Sequence, residues 1–326
     1  MIAIIILNWN GLKDTISCLR SLKNIEGNFF VLVVDNGSTD NSVSEITKWG
    51  RDISWNVLSL NEGEKIPDNL SIIHFKMICL SLKTNYGFAK GNNIALRIAS
   101  HFNPSHYLFL NNDTEVSPDF LIILESFASS NPEYKILTPL ICLYSNKDII
   151  WNAGGKQLFG FRKYYYANNH VSNLPDKEFI PITFITGCAL FVSSEIIKSS
   201  IFTERFFFGE EDFDFSWRMK DAGKKMCCVL ASKIFHKVGA SSAHLSSIGK
   251  CKVHYLNRSI DVRQHCSAFM FALWKFVNNI PMFHSFIKRG VSVIDAVVFI
   301  RDIYKQSLLY EEVSKDLYES FINGSR

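Results

Sequence analysis

Three acidic residues in succession, Glu210, Glu211 and Asp212, follow three phenylalanines in the stretch FFFGEEDFDFSWR. A helix is predicted to begin at these acids, where the helix macrodipole stabilises negative charge. Asp214 and Arg218 are spaced i,i+4 on that helix and are explained as an ion pair. No such pairing explains the three acids. Carboxyl groups beside aromatic rings can have a raised pKa, as a general base near neutral pH requires, so the stretch predicts a catalytic base.

A second candidate site lies in the stretch NNDTEV, directly after the apolar run Tyr107–Leu110. Asn111 and Asp113 are separated by one residue, so a bent turn could direct both side chains toward a single cation. Hard oxygen ligands of this kind suit Mg²⁺ or Mn²⁺, which also binds substrate phosphates. Asn and Asp are turn formers as well, and a plain strand-end turn is the alternative interpretation.

Two further stretches are typical of ligand-binding loops. In VVDNGSTDNS, Asp35 ends an apolar strand and could accept hydrogen bonds from the N–H groups of a ligand, unless the turn only caps the next helix. In NYGFAKGNN, Gly87 and Gly91 flank Lys90 at the start of a predicted helix, an arrangement that suits an anion or a simple helix cap. His236 follows a predicted strand, Lys225–Leu230, and by itself is more typical of a structural histidine than of a ligand.

The elements that must position these residues follow a β-α-β order. The apolar runs Ala3–Leu7 and Phe30–Val34 enclose a segment with helical spacing, Asp14–Leu22, which predicts a parallel sheet with helices on its faces. Further strands are predicted near Ile53–Leu58, Ser71–Leu82, Tyr107–Leu110 and Phe184–Val192, and further helices near Asp40, Gly87, Ser117 and Glu211. Residues 1–240 are predicted to form one α/β domain, and residues 241–326 a helical C-terminal extension.

Composition limits the class of protein. Hydrophobic residues make up 47% of the 326 residues and charged residues 20%, as in a globular protein with a large core. A net charge of +4 is too small to indicate a nucleic-acid partner. The eight cysteines contain no CxxC pair, which favours buried thiols in a reducing compartment.

The segment Ala268–Ile300 is apolar and aromatic but is interrupted by Lys275, Lys288 and Arg289. No uncharged apolar run approaches the roughly 18 residues of a spanning helix, and the N-terminus lacks the features of a signal peptide. A packed helical subdomain and a surface that rests on a membrane both remain open for this segment.

Seven stretches in order, LNWNG, VVDNGSTD, NYGFAKGNN, LNNDTEV, TGCALFV, EEDFDFSWR and FHKVGAS, resemble the family 2 glycosyltransferases. The resemblance covers roughly residues 2–242 and is greatest to the bacterial rhamnosyltransferase-like branch. It implies the GT-A nucleotide-diphospho-sugar transferase fold, a divalent metal, Mg²⁺ or Mn²⁺, and a sugar-nucleotide donor. It also implies transfer with inversion of the anomeric configuration. The segment Asn61–Asn69 has no counterpart in these motifs and is interpreted as an insertion.

The resemblance implies a role for each motif. Asp212 corresponds to the catalytic base, and Asp35 to the carboxylate that recognises the pyrimidine base of a dTDP- or UDP-linked donor. The implied donor-binding residues are Asn8, Asn10, Asp35, Asn85, Gly87, Gly91, Asn92 and Asn112. The implied metal site consists of Asp113, Asn111 and His236, and the acceptor side of Trp151, Gly187 and Glu211. Asn111 stands where the family has an acid, so Asp113 is expected to be the direct metal ligand.

The activity implied is transfer of a rhamnose-like sugar or a hexose to a hydroxyl of a glycan or lipid-linked acceptor in cell-surface polysaccharide synthesis. Such an enzyme is expected in the cytoplasm, with peripheral contact at the inner face of the membrane as an open alternative. A non-catalytic sugar-nucleotide-binding protein of the same fold is the competing hypothesis. A Rossmann dehydrogenase is disfavoured because no GxGxxG follows the first strand.

Overall fold

The computed structural model describes residues 1–66, 71, 75–197, 199–238 and 247–323. The strands are β1 Ile2–Asn8, β2 Phe29–Asp35, β3 Val57–Asn61, β4 Met77–Ser81, β5 His106–Leu110, β6 Thr114–Val116, β7 Tyr134–Leu143, β8 Ile150–Asn152, β9 Gly155–Leu158, β10 Phe161–Tyr164, β11 Phe179–Ile182, β12 Ala189–Ser193 and β13 Lys225–His236. The helices are α1 Leu12–Leu22, α2 Ser42–Asp52, α3 Phe88–Ser100, α4 Phe120–Ser130, α5 Glu211–Asp221, α6 Ser247–His265, α7 Ala268–Ile287, α8 Val293–Leu309 and α9 Lys315–Asn323.

One half of the central sheet is parallel. Its strands lie in the order β3-β4-β2-β1-β5, and every neighbouring pair is parallel. β1 is buried on both faces, so its side chains alternate between two apolar clusters, with Ala3 and Ile5 in one and Ile2, Ile4 and Ile6 in the other. A parallel sheet covered by helices on both faces requires this continuous apolar pattern. The predicted β-α-β order is confirmed.

The other half of the sheet is mixed. β12 joins β5 and β7 in antiparallel pairs, β13 runs parallel to β7, and the short β6 pairs with the end of β13. β9 and β10 form a separate two-stranded hairpin. The predicted class is therefore confirmed: a largely parallel central α/β sheet of the GT-A type, with flanking helices and a helical C-terminal region.

Several predicted bounds were wrong. β13 continues to His236 instead of ending at Leu230, because a register shift between Val229 and Lys233 restores its pairing with β7 after residues that break the apolar alternation. The helix predicted to begin near Ser117 begins at Phe120. The strand predicted from Phe184 is regular only from Ala189.

Some sequence predictions fall partly on residues that are not described. The predicted boundary between residues 240 and 241 lies outside the described residues, as do residues 67–69 of the interpreted insertion and residues 72–74 of a predicted strand. The eight cysteines are free thiols, and seven of them are buried. Among the described helices, none is long and apolar enough to cross a membrane.

The C-terminal helices pack against one another and against the part of the α/β unit that contains α5 and the β9–β10 hairpin. Leu256 and Ile260 of α6 share an apolar cluster with Met282 and Phe286 of α7 and with Ile303 of α8. A second cluster joins these helices to the sheet side through the buried side chains Phe184, Phe213, Trp217, Val262, Phe271 and Trp274. The extension is thus continuous with the core that carries the acidic stretch.

Candidate active site

A cavity of about 760 Å³ opens at the carboxyl ends of the parallel strands. Ligand sites of open α/β sheets form at this edge, because the loops that follow neighbouring strands meet there. The lining includes predicted residues from four separate motifs, namely Asn10, Asn85, Gly87, Asn111, Asn112, Asp113 and His236. The fold therefore brings residues that are far apart in sequence to one cavity.

Asp35 lies just behind the lining of this cavity. Its Oδ1 accepts hydrogen bonds from Asn8 Nδ2 at 2.7 Å and Ser38 Oγ at 2.6 Å, and its Oδ2 accepts from the Ser38 N–H at 2.9 Å. Asn8 is fully buried and accepts a hydrogen bond from Thr15 through Oδ1. A carboxylate has about four acceptor positions, so Oδ2 retains capacity for one more donor. Asn8 positions Asp35 and does not line the cavity.

The neighbouring asparagines form the wall of the cavity. Asn10, at a positive φ of 49°, accepts the Thr39 N–H through Oδ1 at 2.8 Å. Asn85 Oδ1 accepts from Asn36 Nδ2 and from the Gly87 N–H, each at 2.9 Å. These amides hold two turns against each other, and the turns define the shape of the predicted nucleoside pocket.

The glycines of this loop allow close approach of other groups. Gly87 has φ of 83°, and a side chain there would collide with the Phe207 carbonyl. The Phe88 N–H donates to the same carbonyl at 3.2 Å. Gly91 leaves room for Leu7, 2.7 Å from the position of a Cβ atom. Asn92 is buried and donates to the Phe88 carbonyl within α3, so the structure does not bring its side chain to the cavity.

The predicted insertion supports this loop. Glu62 accepts hydrogen bonds from the Tyr86 hydroxyl at 2.8 Å and from the Lys83 N–H at 2.9 Å. Lys90 lies over the Tyr86 ring, 4.7 Å from its centroid, whereas Lys83 lines the cavity. The sequence interpretation selected Lys90 as the cation of this loop. The structure places Lys83 there instead, because the first turn of α3 directs Lys90 onto the tyrosine.

Asp113 and His236 meet at the base of the cavity. The antiparallel pairing of Thr114 with His236 brings them together, and His236 Nε2 lies 3.2 Å from Asp113 Oδ1 without the geometry of a hydrogen bond. Both side chains are buried, and neither Asp113 Oδ1 nor His236 Nδ1 has a hydrogen-bond partner. A buried carboxylate oxygen without a donor is costly unless a cation binds it. Carboxylate and imidazole together fit a divalent metal.

The two asparagines before Asp113 differ in their contacts. Asn111 lines the cavity beside Asp113 and could contribute an amide oxygen. Asn112 donates to Thr15 Oγ1 at 3.0 Å and packs under Gly11, which links this turn to the start of α1. Trp151, predicted on the acceptor side, packs edge-on against His236 with ring centroids 4.5 Å apart. The structure therefore brings Trp151 to the candidate metal site.

Asp212 lies in the first turn of α5, next to Gly187 and the β9–β10 hairpin. Its Oδ1 is 3.7 Å from Arg162 Nη1, and its Cβ is 3.9 Å from the position of a Cβ on Gly187. Burial raises the pKa of Asp212, and the Arg162 guanidinium opposes that rise. Sequence reasoning missed Arg162, since the exposed hairpin stretch FRKYYY carries no recognisable motif.

Glu211 and Glu210 have opposite electrostatic environments. Burial, reinforced by the charge of Asp212, raises the pKa of Glu211 to about 8, and Glu211 Oε2 has no hydrogen-bond partner. Glu210 is also buried, which would raise its pKa, but Arg258 and His254 lower that pKa to about 2. Burial therefore favours the protonated form of Glu211, whereas Glu210 is a carboxylate near neutral pH. Asp212, which faces Arg162, is the acid best suited to exchange a proton with a substrate.

Arg258 of α6 fastens this acidic turn to the C-terminal helices. Its guanidinium donates to Glu210 from Nη2 at 3.1 Å and from Nε at 2.5 Å, and donates to the Gly160 carbonyl at 3.2 Å. It also stacks over the Phe213 ring at 3.6 Å. Glu210 has φ of 69°, a left-handed conformation uncommon for glutamate, and this set of contacts holds it. The sequence analysis assigned no role to Arg258.

A second charged network lies behind the first. Asp214 accepts from Arg205 at 2.8 Å, from Arg218 at 2.7 Å and from His265 at 3.1 Å, and Asp261 lies beside them. The predicted pair of Asp214 with Arg218 is confirmed. Asp214, Asp261 and His265 could in principle surround an ion. The two guanidinium groups already supply the positive charge, so the cluster is a salt-bridge network.

Helix α9 forms the outer wall of the cavity. Val313, just before it, exchanges backbone hydrogen bonds with Arg205 and Phe207 at 2.7 and 2.9 Å. Tyr318 packs on Phe207 with ring centroids 5.3 Å apart. The residues of this region that line the cavity are Lys315, Tyr318, Glu319, Ile322 and Asn323. No sequence motif indicated this part of the site.

The mixed sheet, the cavity at its edge and the acidic helix start agree with the fold expected of the GT-A class. The chain belongs to glycosyl transferase family 2, whose model matches residues 3–197, more than half of the sequence. No curated protein matches the sequence significantly.

Solved structures show the same fold. The mannosyltransferase PcManGT from Pyrobaculum calidifontis, in complex with GDP-Man and Mn²⁺, has a TM-score of 0.56 at 12% identity, covering 98% of this chain and 84% of its own. TarS 1-349 from S. aureus has a TM-score of 0.52 at 15% identity, with coverage of 99% and 92%. GalNAc-T7 with UDP, GalNAc and Mn²⁺ has a TM-score of 0.58 at 14% identity and covers 95% of this chain. This chain spans 56% of the GalNAc-T7 chain.

Proposed function

We propose that the protein is a metal-dependent, inverting glycosyltransferase that uses a pyrimidine nucleoside-diphosphate sugar, dTDP- or UDP-linked. The observation that carries the proposal is the buried Oδ1 of Asp113, which accepts no hydrogen bond and faces His236 in the cavity at the carboxyl ends of the strands. A cation site in this cavity, with Asp212 in the helix start that follows the lining residues Phe207 and Phe208, suits transfer from a donor with a diphosphate leaving group.

Asp212 acts as the base in this proposal. It accepts the proton from an acceptor hydroxyl, whose oxygen attacks the anomeric carbon as the bond to the nucleoside diphosphate breaks. A single displacement with one base inverts the anomeric configuration, by the logic that applies to inverting glycosidases. Mg²⁺ or Mn²⁺ held by Asp113 and His236, with Asn111 beside them, would supply positive charge to the leaving diphosphate.

The pyrimidine preference rests on Asp35 and its surroundings. Asn8 and Ser38 hold the Asp35 carboxylate in one orientation, with one acceptor position left for the N–H of a base. UDP is present in the GalNAc-T7 structure, whereas GDP-Man is present in the mannosyltransferase structure. A guanine nucleotide is therefore the donor to test against UDP and dTDP.

For the sugar and the acceptor, we infer transfer of a rhamnose-like sugar or a hexose to a glycan or lipid-linked hydroxyl in cell-surface polysaccharide synthesis, at the cytoplasmic face of the membrane. The order of the seven motifs supports the rhamnosyltransferase-like branch. Trp151, Gly187 and Glu211 are the proposed acceptor-side residues. Gly187 and Glu211 border Asp212, which is consistent with that role, whereas Trp151 contacts His236.

The test is release of nucleoside diphosphate from a panel of UDP-, dTDP- and GDP-sugars, with Mn²⁺, with Mg²⁺ and in excess chelator. We expect turnover with a pyrimidine donor that requires metal, and loss of that turnover in Asp113→Ala. Because Asn111 supplies no charge, metal and diphosphate should bind cooperatively, each raising the affinity of the other by the same factor. Asn111→Asp should strengthen Mn²⁺ binding without nucleotide.

Other results would separate the alternatives. Nucleotide binding without release from any donor would favour the non-catalytic binding protein, to which the missing acid at Asn111 lends some weight. Full activity in excess chelator, together with full activity of the Asp113→Ala variant, would show that the NND stretch is only a strand-end turn.

A further inference from the structure

The outward face of α7 is apolar and exposed to solvent. Phe269, Phe276 and Ile280 are 77%, 75% and 76% exposed, and Leu273 lies between them at 45%. Their spacing of four, three and four residues places all four side chains on one side of the helix. The opposite side packs into the protein. A surface helix of a globular protein normally presents polar residues outward, so this face requires an explanation.

Helix α8 has an exposed apolar face of its own and adds positive charge. Its exposed apolar residues are Val293, Ile294, Val297, Val298, Leu308 and Leu309. Arg301 and Lys305 follow Ile294 by seven and eleven residues on the same helix face, and both are exposed. Lys288 and Arg289 lie in the turn between the two helices. Residues 268–309 contain five Lys and Arg against two Asp, so the surface is both apolar and cationic.

The buried face of α7 connects this surface to the acceptor end of the site. Trp274 packs on Phe161 of the β9–β10 hairpin, and Gly160 leaves room for the Trp274 ring. Arg162, one residue beyond Phe161, is the partner of Asp212. The exposed face is therefore one helix thickness away from the strand that borders the proposed base.

We propose that the outer faces of α7 and α8 bind the surface of an anionic phospholipid bilayer, with both helices lying in the interface. Phe and Leu side chains enter the boundary between headgroups and acyl chains, while Arg and Lys bind the headgroups. The consequence for catalysis, presentation of a lipid-linked acceptor to Asp212, rests on the proposed function. The binding itself does not.

Charge selects the bilayer over a second copy of the chain as the occupant of this face. The centres of protein–protein interfaces are depleted of charge. A two-fold axis that passes near Arg301 and Lys305 would also bring these residues toward their own copies, and like charges repel. An anionic bilayer accepts the same side chains favourably.

The experiment is sedimentation of the full chain with vesicles of phosphatidylcholine alone and of phosphatidylcholine with phosphatidylglycerol, at low and high salt. We expect binding to the anionic vesicles that weakens with salt. Phe276→Asn combined with Ile280→Asn should lower the partition coefficient by on the order of a hundredfold, because two apolar side chains leave the interface. Arg301→Gln and Lys305→Gln should each lower it about fivefold.

Matched controls are Ile122→Asn, an exposed apolar residue on α4, and Lys48→Gln on α2, which should leave binding unchanged. Circular dichroism verifies that every variant folds. Absence of sedimentation with anionic vesicles, or unchanged binding by the Phe276/Ile280 variant, would overturn the proposal. The proposal would also be overturned if the wild type formed a dimer in analytical ultracentrifugation that did not bind vesicles, and if the Phe276/Ile280 variant were a monomer. Nucleoside diphosphate release with a soluble acceptor, measured in parallel, reports the proposed activity independently of vesicle binding.

Discussion

The two ends of the proposed active site hold their polar and charged side chains by different physical means. At the donor end, neutral amides dominate: Asn8, Asn36 and Asn85 hydrogen-bond to Asp35 and to the turns around it. At the catalytic end, buried charges dominate: Glu210 is bound by Arg258, and Asp212 faces Arg162. The donor end satisfies its buried carboxylate, Asp35, with an amide and a hydroxyl, whereas the catalytic end uses guanidinium cations. Both ends join segments that are distant in sequence, since Asn36 and Asn85 are 49 residues apart and Arg258 and Glu210 are 48 apart.

The largest effect is expected at Asp212. Asp212→Asn removes the base while keeping the size of the side chain, and kcat should fall by on the order of 10²–10⁴-fold. Donor affinity, measured by calorimetry, should stay unchanged because Asp212 does not line the donor cavity. Asp221→Asn, at the exposed end of the same helix, is the matched control. Near-normal turnover in Asp212→Asn would show that Asp212 is not the general base and would make Glu211 the candidate.

Arg258→Met tests how far the catalytic end depends on buried charge. It leaves Glu210 buried without its partner, which should lower the free energy of unfolding by about 3–5 kcal/mol. Arg263→Met on the same helix breaks a pair with the exposed Glu311 and should cost less than about 1 kcal/mol. Urea denaturation of both variants measures the difference. Equal effects would show that α6 does not stabilise the acidic turn through charge.

The same pair predicts a pH dependence of stability. The pKa of Glu210 is about 2 in the folded protein, against 4.5 for an ordinary glutamate. Its stabilisation is therefore present above about pH 4.5 and is lost as the pH falls toward 2. The difference in unfolding free energy between wild type and Arg258→Met should narrow over that acidic range. A difference independent of pH would mean that Arg258 acts through packing on Phe213.

Asp35→Ala tests the donor end. Loss of a charge-assisted hydrogen bond should weaken binding of UDP or dTDP roughly ten- to hundredfold, by about 1.5–3 kcal/mol, even without acceptor. Asp40→Ala is the control in the same loop, since Asp40 is exposed and only caps α2 through the Ser42 N–H. Unchanged nucleotide affinity in calorimetry would assign Asp35 a purely structural role in its turn.

The smallest effect should appear in a pH profile. Arg162 opposes the rise in the pKa of Asp212, so Arg162→Gln should move the rising limb of kcat/KM to higher pH. Activity should fall on the acidic side of that limb and recover at higher pH. Lys163→Gln, the exposed neighbour on the hairpin, should leave the limb in place. A uniform loss at every pH would indicate that Arg162 contacts the acceptor instead of tuning the base.

The difference between the two ends also explains what could be predicted from the sequence. The turn at Gly87 and the carboxylates at strand ends follow from local patterns, and the first βαβ unit follows from apolar spacing. Arg162 and Arg258 could not be assigned, because their partners lie about 50 residues away in each case and only the tertiary fold joins them. The register shift in β13 also hid His236 from the strand prediction, although the shift is what aligns it with Asp113.

The backbone contact between the donor loop and the acidic turn has a kinetic consequence. Phe88 donates to the Phe207 carbonyl, and Gly87 leaves no space between the two loops. A donor that orders the first loop therefore also orders the second, which precedes the base. We expect substrates to add in sequence, donor before acceptor, and the nucleoside diphosphate to leave last. That order makes the nucleotide product a competitive inhibitor toward the donor and a noncompetitive one toward the acceptor.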